Sequence, residues 1–342
     1  MMFTAVRSVG HIKAQPEDFV VQEEMNGRVV VPQFTTTIRP AVSPFTAFTL
    51  TKRNVQAVDA YREVARQLGV RRQHITECGR KDKIALTTQT IVVEGTYLPQ
   101  FNHADIWLTQ IGPVDGPLWH GAHSGNRFSI LVRTDAPVPP DGVVFRNLFG
   151  HQRFWGRVDV GRYLLEGQFD QAVRALEGSP SWYQLKRIIQ RLSPASAIMP
   201  LYQAVTWDEV KCIVRGTISA EEILEHPDFR EQVQFEVLKW QSHLWNRLAL
   251  RTRGHDDRLP MWGLEYASLY TEFWNPSEVD SLMYDLTHQF SRRVWVRAVR
   301  HQINEHELGY QHEFTLPSGS YATVFLDHLY ALVDDSREGY VV

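Results

Sequence analysis

The feature that most constrains the fold of this chain is a sequence pattern that changes twice, near residue 150 and near residue 295. Before the first change, short segments rich in β-branched and aromatic residues, such as "DFVVQEEM" and "FTAFTLTKR", predict strands. From Asp159 to about Arg293 helical periodicity dominates, and strand patterns return with "RVWVRAVR". The sequence therefore predicts a mixed domain made of both chain ends, interrupted by a mostly helical insertion.

Two helices have clear signals in the sequence. Between Asn54, a candidate N-cap, and Gly69, a candidate stop, apolar residues recur at spacings of three and four. In the second half, six apolar residues spaced four, four, three, four and four apart predict a helix of roughly five turns, which Gly254 is expected to end. These six residues are Phe229, Val233, Val237, Trp240, Leu244 and Leu248.

Charge and composition exclude several classes of protein. The net charge of −3 argues against binding a polyanion with the whole surface. The segment from Arg62 to Lys83, however, contains seven basic residues and only three acidic ones, and it would attract a phosphate backbone. A membrane span and an export signal are not expected. With only two cysteines, Cys78 and Cys212, a disulfide framework is not expected either, and the predicted location is cytoplasmic.

Motifs for cofactors and metals are missing from the sequence. Neither the glycine-rich dinucleotide fingerprint nor the P-loop occurs. The chain has 14 histidines, but their spacing to one another and to cysteines or acids does not match a zinc motif. We therefore expect no cofactor and no metal.

The segment "CGRKDKIALTTQ" holds a single carboxylate, Asp82, among three cations, Arg80, Lys81 and Lys83. A solvated loop would give the same mixture. Because strand patterns precede and follow the segment, Asp82 is predicted to lie at or just beyond a strand end, where a rigid support can hold a reactive group.

Three other segments carry residues that suit a nucleobase. "PEDFVVQE" offers Phe19, "SGNRFSILV" offers Asn126 and Phe128 on one strand face, and "LPSGSYAT" offers Tyr321. Aromatic rings stack on an extruded base, and an asparagine side chain offers a donor and an acceptor to a pyrimidine edge. Phe19 and Phe128 are equally consistent with ordinary core positions in strands.

Four ordered segments, "GRKDKIALTTQ", "SGNRFSILV", "NLFGHQRFWGR" and "LPSGSYATVFLDHL", resemble the signature segments of the TruD family of pseudouridine synthases. The resemblance spans nearly the whole chain. It implies an α+β fold: a pseudouridine-synthase domain with a mixed, mainly antiparallel sheet from residues 1–154 and 295–342. A mostly helical TRUD-type insertion would occupy residues 155–294.

The same resemblance implies an activity and a set of roles. A uridine in folded RNA, uridine-13 of tRNA in the bacterial family members, is flipped out and isomerised to pseudouridine without a metal or redox cofactor. By motif position Asp82 is the nucleophile, while Phe19, Asn126, Phe128 and Tyr321 line the uracil pocket. The expected partner is tRNA or another structured RNA, with no membrane and no protein partner.

The basic neighbours of Asp82 have a physical purpose in this interpretation, because a carboxylate in a pocket that excludes water needs nearby positive charge to stay ionised. If the segment is extended, Arg80 shares the face of Asp82 and orients it, whereas Lys81 and Lys83 point toward phosphates. Lys81→Ala is then expected to weaken RNA binding. The alternatives are an RNA-binding protein or RNA-folding chaperone with little turnover and, less favoured, a hydrolase built on Asp82.

Overall fold

The computed structural model describes residues 7–119, 121–137, 143–154, 156–254 and 258–336. Its strands are β1 (Val9–Ile12), β2 (Phe19–Met25), β3 (Arg28–Val29), β4 (Phe45–Arg53), β5 (Ile75–Glu77), β6 (Leu86–Glu94), β7 (Ile106–Pro113), β8 (Gly125–Arg133), β9 (Val144–Arg146), β10 (Arg258–Pro260), β11 (Ser291–Arg293), β12 (Trp295–Arg297), β13 (Val299–His306), β14 (Gly309–Pro317) and β15 (Ala331–Asp334).

Its α-helices are α1 (Ala57–Leu68), α2 (Val160–Leu165), α3 (Phe169–Leu176), α4 (Pro180–Leu192), α5 (Ile198–Gln203), α6 (Trp207–Val214), α7 (Ala220–Glu225), α8 (Pro227–Arg251), α9 (Ser281–Tyr284) and α10 (Ala322–Leu329). Short 3-10 helices cover Pro16–Asp18, Arg72–His74, His151–Phe154, Ala195–Ala197 and Leu264–Leu269. Within these described residues, no helix is both long and apolar enough to cross a membrane.

The chain divides into two compact units, residues 1–147 with 296–342, and residues 148–295. The first unit contains an 11-stranded sheet whose main path is β13-β14-β8-β2-β6-β4-β7. Most of its neighbouring strands are antiparallel, but β2 pairs with β6 in parallel and β1 pairs with β15 in parallel. The predicted α+β fold, with a mainly antiparallel sheet and a helical region, is confirmed.

Two hydrophobic cores lie in the first unit, one on each side of the β2–β6 pairing along the sheet. One is built around β2, β8, β14 and α10 and includes Phe19, Phe128 and Ala85. The other packs α1 against β4, β6 and β7 and includes Tyr61 and Ile75. The segment between Ile75 and Ala85, which contains Asp82, is therefore fixed at its two ends in different cores.

The N-cap of helix α1 is Gln56, two residues after the candidate cap Asn54, because Asn54 itself adopts a left-handed backbone (φ 53°). Its predicted end is confirmed: Gly69, at φ 70°, takes the left-handed conformation that a residue without a Cβ adopts without strain. The helix buries Tyr61, Ala65 and Leu68, three of the apolar residues that recur at spacings of three and four.

The second unit is mostly helical and has its own core, which contains five of the six residues of the predicted apolar face of α8. Helix α8 is longer than expected, at 25 residues, because it begins at Pro227, two residues before Phe229, and continues three residues beyond Leu248. It ends at Arg251 instead of near Gly254, since the C-cap residue Thr252 is already extended.

Candidate active site

The candidate nucleophile Asp82 lies in a loop, residues 78–85, between β5 and β6. Backbone hydrogen bonds fix the end of this loop: the Asn54 amide donates to the Ala85 carbonyl at 3.1 Å, and the Ala85 amide donates to the Lys83 carbonyl at 3.0 Å. The Asp82 side chain is 30% exposed. Asp82 is thus half-buried, accessible to a ligand and carried by a loop with little freedom.

A buried lysine, Lys13, contacts the Asp82 carboxylate. Its Nζ lies 3.7 Å from Asp82 Oδ1 and 3.7 Å from Asp334 Oδ2, and its side chain is only 4% exposed. The same ammonium group lies 4.3 Å from the centroid of the Phe19 ring. One desolvated cation therefore joins the candidate nucleophile, a second acid and a candidate pocket residue.

A second buried lysine, Lys52 of β4, holds the backbone of the loop. Its side chain is 1% exposed and donates a hydrogen bond to the Asp82 carbonyl oxygen. Burial lowers the pKa of Lys52 to about 8; the negative charge of Asp82 opposes this shift, and the positive charge of Lys81 adds to it. Near neutral pH Lys52 is still mostly charged, so two buried cations, Lys13 and Lys52, face Asp82.

The predicted outward orientation of Lys81 was wrong. Lys81 is buried, lies 3.0 Å from Glu23 Oε1, and donates a hydrogen bond to Asn126 Oδ1 at 2.9 Å. The error came from treating residues 80–83 as extended: β5 ends at Glu77 and β6 begins at Leu86, so the alternation of faces in a strand does not apply between them. Lys81 instead links the loop to β2 through Glu23 and to β8 through Asn126.

Asn126 is held from several directions. It lies directly opposite Glu23 in the β2–β8 pairing, and Glu23 is fully buried and accepts a hydrogen bond from the Thr90 amide at 2.9 Å. The Asn126 Nδ2 atom lies 3.5 Å from His123 Nε2. With Lys81 bound to its Oδ1, the Asn126 amide has a fixed orientation, which is what recognition of a base edge requires.

The two candidate phenylalanines lie in the core beside this site. Phe19 has no exposed surface and Phe128 is 5% exposed, with their ring centroids 6.4 Å apart. Phe128 also stacks on Phe314 at 5.3 Å, across the β8–β14 pairing. Both rings therefore occupy ordinary core positions in this structure, although Phe19 also contacts Lys13. Tyr321 is half-buried and is the N-cap residue of α10.

Arg80 and Lys83 flank the buried Lys81 and are both exposed. The cations around Asp82 therefore divide by burial. Lys13, Lys52 and Lys81 are enclosed and hold the site together, while Arg80 and Lys83 face solvent.

Within the described part of the chain, one group of three side chains has the geometry to hold a metal ion: Glu23, Cys78 and His123, all buried. Burial, followed by the charge of Glu23, raises the pKa of the Cys78 thiol to about 11. This group lies next to Lys81 and Asn126, through contacts of Lys81 with Glu23 and of Asn126 with His123.

Sequence reasoning missed Lys13, Lys52 and Glu23, and it set His123 aside because the spacing of the histidines matches no zinc motif. One usable signal was present for Lys52: it follows seven uncharged residues in the predicted strand "FTAFTLTKR". A strand without charges on either face is expected to be enclosed on both sides, and a charge within it needs a partner. Lys13 and Glu23 gave no signal by themselves, because their partners are more than 50 positions away in the chain.

Comparison with known proteins agrees with this fold. A family model described as tRNA pseudouridine synthase D (TruD) matches residues 3–192, more than half of the chain. The class defined by the sheet, the helical unit and the match is that of the pseudouridine synthases with a helical insertion. The chain belongs to the TruD family.

Two curated relatives named "Probable tRNA pseudouridine synthase D" illustrate the match. The Pyrobaculum neutrophilum protein is 33% identical over 155 residues, which cover 43% of this chain and 38% of that protein. The Nanoarchaeum equitans protein is 33% identical over 178 residues, covering 48% and 47%. The chain thus spans about half or less of the length of these curated relatives.

A solved structure supports the fold along almost the whole chain. The crystal structure of a Methanosarcina mazei protein described as tRNA pseudouridine synthase D (TruD) matches with a TM-score of 0.53. The match covers 97% of this chain and 95% of that one, at 20% sequence identity. At that identity the likeness concerns the fold alone.

Proposed function

We propose that this chain is a tRNA pseudouridine synthase of the cytoplasm that isomerises a flipped-out uridine, uridine-13 in the first instance, with Asp82 as the nucleophile. The observation that carries the proposal is the half-exposed Asp82 carboxylate beside the buried Lys13, in a loop that Lys81 links to Asn126. Membership of the TruD family and the names of the relatives support tRNA as the substrate.

The proposed reaction conserves atoms. The bond between N1 of uracil and C1′ of ribose breaks, the uracil turns, and a new bond joins C5 to C1′. The hydrogen at C5 leaves as a proton and N1 gains one. The Asp82 carboxylate supplies the electron pair that forms a transient covalent bond to the nucleotide, and it leaves when the carbon–carbon bond is complete.

Two buried lysines prepare this carboxylate in the proposed mechanism. Lys13 lies 3.7 Å from the carboxylate and offsets its negative charge, and this attraction becomes stronger when the bound base excludes water. Lys52 fixes the backbone carbonyl of Asp82, so that the side chain keeps its direction. These contacts are fixed in advance and need little reorganisation during the reaction.

The uracil is bound by groups that surround Asp82 in this proposal. Asn126 offers its amide to the base edge, held by Lys81 at 2.9 Å. Tyr321 stacks on the base, and the buried rings of Phe19 and Phe128 support the site from the core side. Exposed Arg80 and Lys83 bind the flanking phosphates. The helical unit, residues 148–295, acts as the TRUD-type insertion and contributes further RNA contacts.

A single incubation tests the class of activity. Full-length protein is mixed with tRNA tritiated at uracil C5, and tritium in water, free uracil and bound RNA are measured. An isomerase releases tritium without freeing uracil. RNA binding without tritium release would replace this proposal with the chaperone alternative, and release of free uracil would replace it with the hydrolase.

A further inference from the structure

A buried thiol, imidazole and carboxylate lie together behind the candidate active site. The ligand atoms of Cys78, His123 and Glu23 all lie within 4.8 Å of one another. Glu23 and Cys78 have no exposed surface, and His123 is 8% exposed. They come from three separate places: β2, the first residue after β5, and the residues just before β8. The fold brings them together although their sequence spacing gives no metal motif.

From this geometry we propose that Glu23, Cys78 and His123 form a binding site for a thiophilic divalent cation, Zn²⁺ being the physiological ion that fits best. Sulfur, imidazole nitrogen and a carboxylate oxygen are the ligand types that zinc takes, whereas Mg²⁺ and Ca²⁺ prefer oxygen alone. Bond lengths of about 2.0 to 2.3 Å place the ligands of a tetrahedral ion about 3.3 to 3.7 Å apart, so the three ligand atoms must approach one another by about 1.5 Å at most. Small rotations of side chains supply that movement.

The atoms around the Cys78 thiol are suited to a thiophilic metal ion. The Met25 Sδ atom lies 3.8 Å from Cys78 Sγ, so a second sulfur borders the site. On binding, the Cys78 S–H bond breaks, a sulfur–metal bond forms, and one proton is released to solvent. Water completes the coordination shell. The metal site is a separate property of this chain, and the metal takes part in no step of the proposed isomerisation.

Metal binding is coupled to the active site through Lys81. The Lys81 ammonium contacts Glu23 at 3.0 Å and Asn126 at 2.9 Å. A cation bound to Glu23 repels Lys81 and takes over one of its partners, and His123 lies beside the Asn126 amide. Bound Zn²⁺ therefore disturbs Lys81, the residue that orients Asn126. Zn²⁺ is expected to slow the proposed isomerisation, because that reaction depends on the orientation of Asn126.

Cobalt titration of the full-length, metal-free protein tests the site without reference to activity. We expect one equivalent of Co²⁺ to give the near-ultraviolet thiolate-to-cobalt band, and Zn²⁺ to remove it. Cys78→Ala and the nearly isosteric Cys78→Ser should lose the band, as should His123→Ala. Cys212→Ala is the matched control, because Cys212 is the exposed cysteine of the other unit, and it should keep the band.

The contrary results are equally definite. Absence of the band in the wild type, its persistence in Cys78→Ser, or its loss in Cys212→Ala would overturn the metal site. A thermal melt of each metal-free variant establishes that it is folded before titration. Because the readout is optical, failure of this proposal and failure of the proposed isomerase activity are separate outcomes.

Discussion

At the scale of single residues, the loop that bears Asp82 contains cations with two different physical roles. Lys81 is buried against Glu23, and removal of one partner of such a pair leaves an uncompensated charge in the interior. Lys83, two positions later, is exposed. The two lysines look equivalent in the sequence, but the structure predicts that only the loss of Lys81 lowers the stability of the fold.

We expect Lys81→Ala to lower the free energy of unfolding by about 3 to 5 kcal/mol, because Glu23 keeps a buried, unpaired charge. Lys83→Ala should leave stability within about 0.5 kcal/mol and reduce the salt dependence of tRNA binding by about one phosphate contact. Urea unfolding and binding at several salt concentrations measure both effects. Adding Glu23→Gln to Lys81→Ala should restore much of the stability; equal stability of the two single variants would contradict the buried pair.

A pH dependence follows from Lys52. Its pKa is lowered from 10.5 to about 8 in the folded chain. Between these values the unfolded chain binds the proton and the folded chain does not, so the contribution of Lys52 to stability rises with pH through that window. The free energy of unfolding of the wild type, relative to Lys52→Met, should rise by about 3 kcal/mol from pH 7 to pH 10.5. A difference that stays constant or falls would show that Lys52 is not buried in this way.

At the scale of elements, the nine-residue pairing of β8 with β14 determines where Asn126 lies. Gly125 begins this pairing, and a Cβ added there would lie 2.4 Å from the Leu316 carbonyl oxygen. That atom belongs to the backbone of the neighbouring strand and cannot move without separating the two strands.

Gly125→Ala is therefore expected to lower the free energy of unfolding by about 1 to 3 kcal/mol and to displace the neighbouring Asn126. Gly116→Ala is the matched control, since a Cβ at Gly116 meets no heavy atom within 4 Å. Thermal melts of both variants test the difference. Equal melting temperatures would contradict the close approach of β14 to Gly125.

The sequence predicted regular elements well because their residues repeat with a physical period. The strand pattern of "FTAFTLTKR" corresponds to β4, and the stop at Gly69 ends α1. Residues 78–85 have no such period, so the direction of Lys81 could not be read from alternation. The contacts of Lys13 with Asp82 and of Lys81 with Glu23 depend on strand order in the sheet, which local patterns do not encode.

At the scale of the whole molecule, the chain consists of two units with separate cores, and the proposed chemistry belongs to one of them. Asp82, Lys13, Lys81 and Asn126 all lie in the unit made of residues 1–147 and 296–342. The sequence predicted unit boundaries after residues 154 and 294, and the structure has them after residues 147 and 295. The site thus depends on both chain ends coming together, since Asp334 of β15 also contacts Lys13.

The most direct test of the account compares wild type and Asp82→Asn on one tRNA. After incubation, pseudouridine-specific labelling, digestion and mass analysis report both the chemistry and the position. We predict that the wild type forms pseudouridine at uridine-13, and that Asp82→Asn binds the tRNA equally well but forms it at least about 10³-fold more slowly. Pseudouridine formed by Asp82→Asn at the wild-type rate would contradict the central claim.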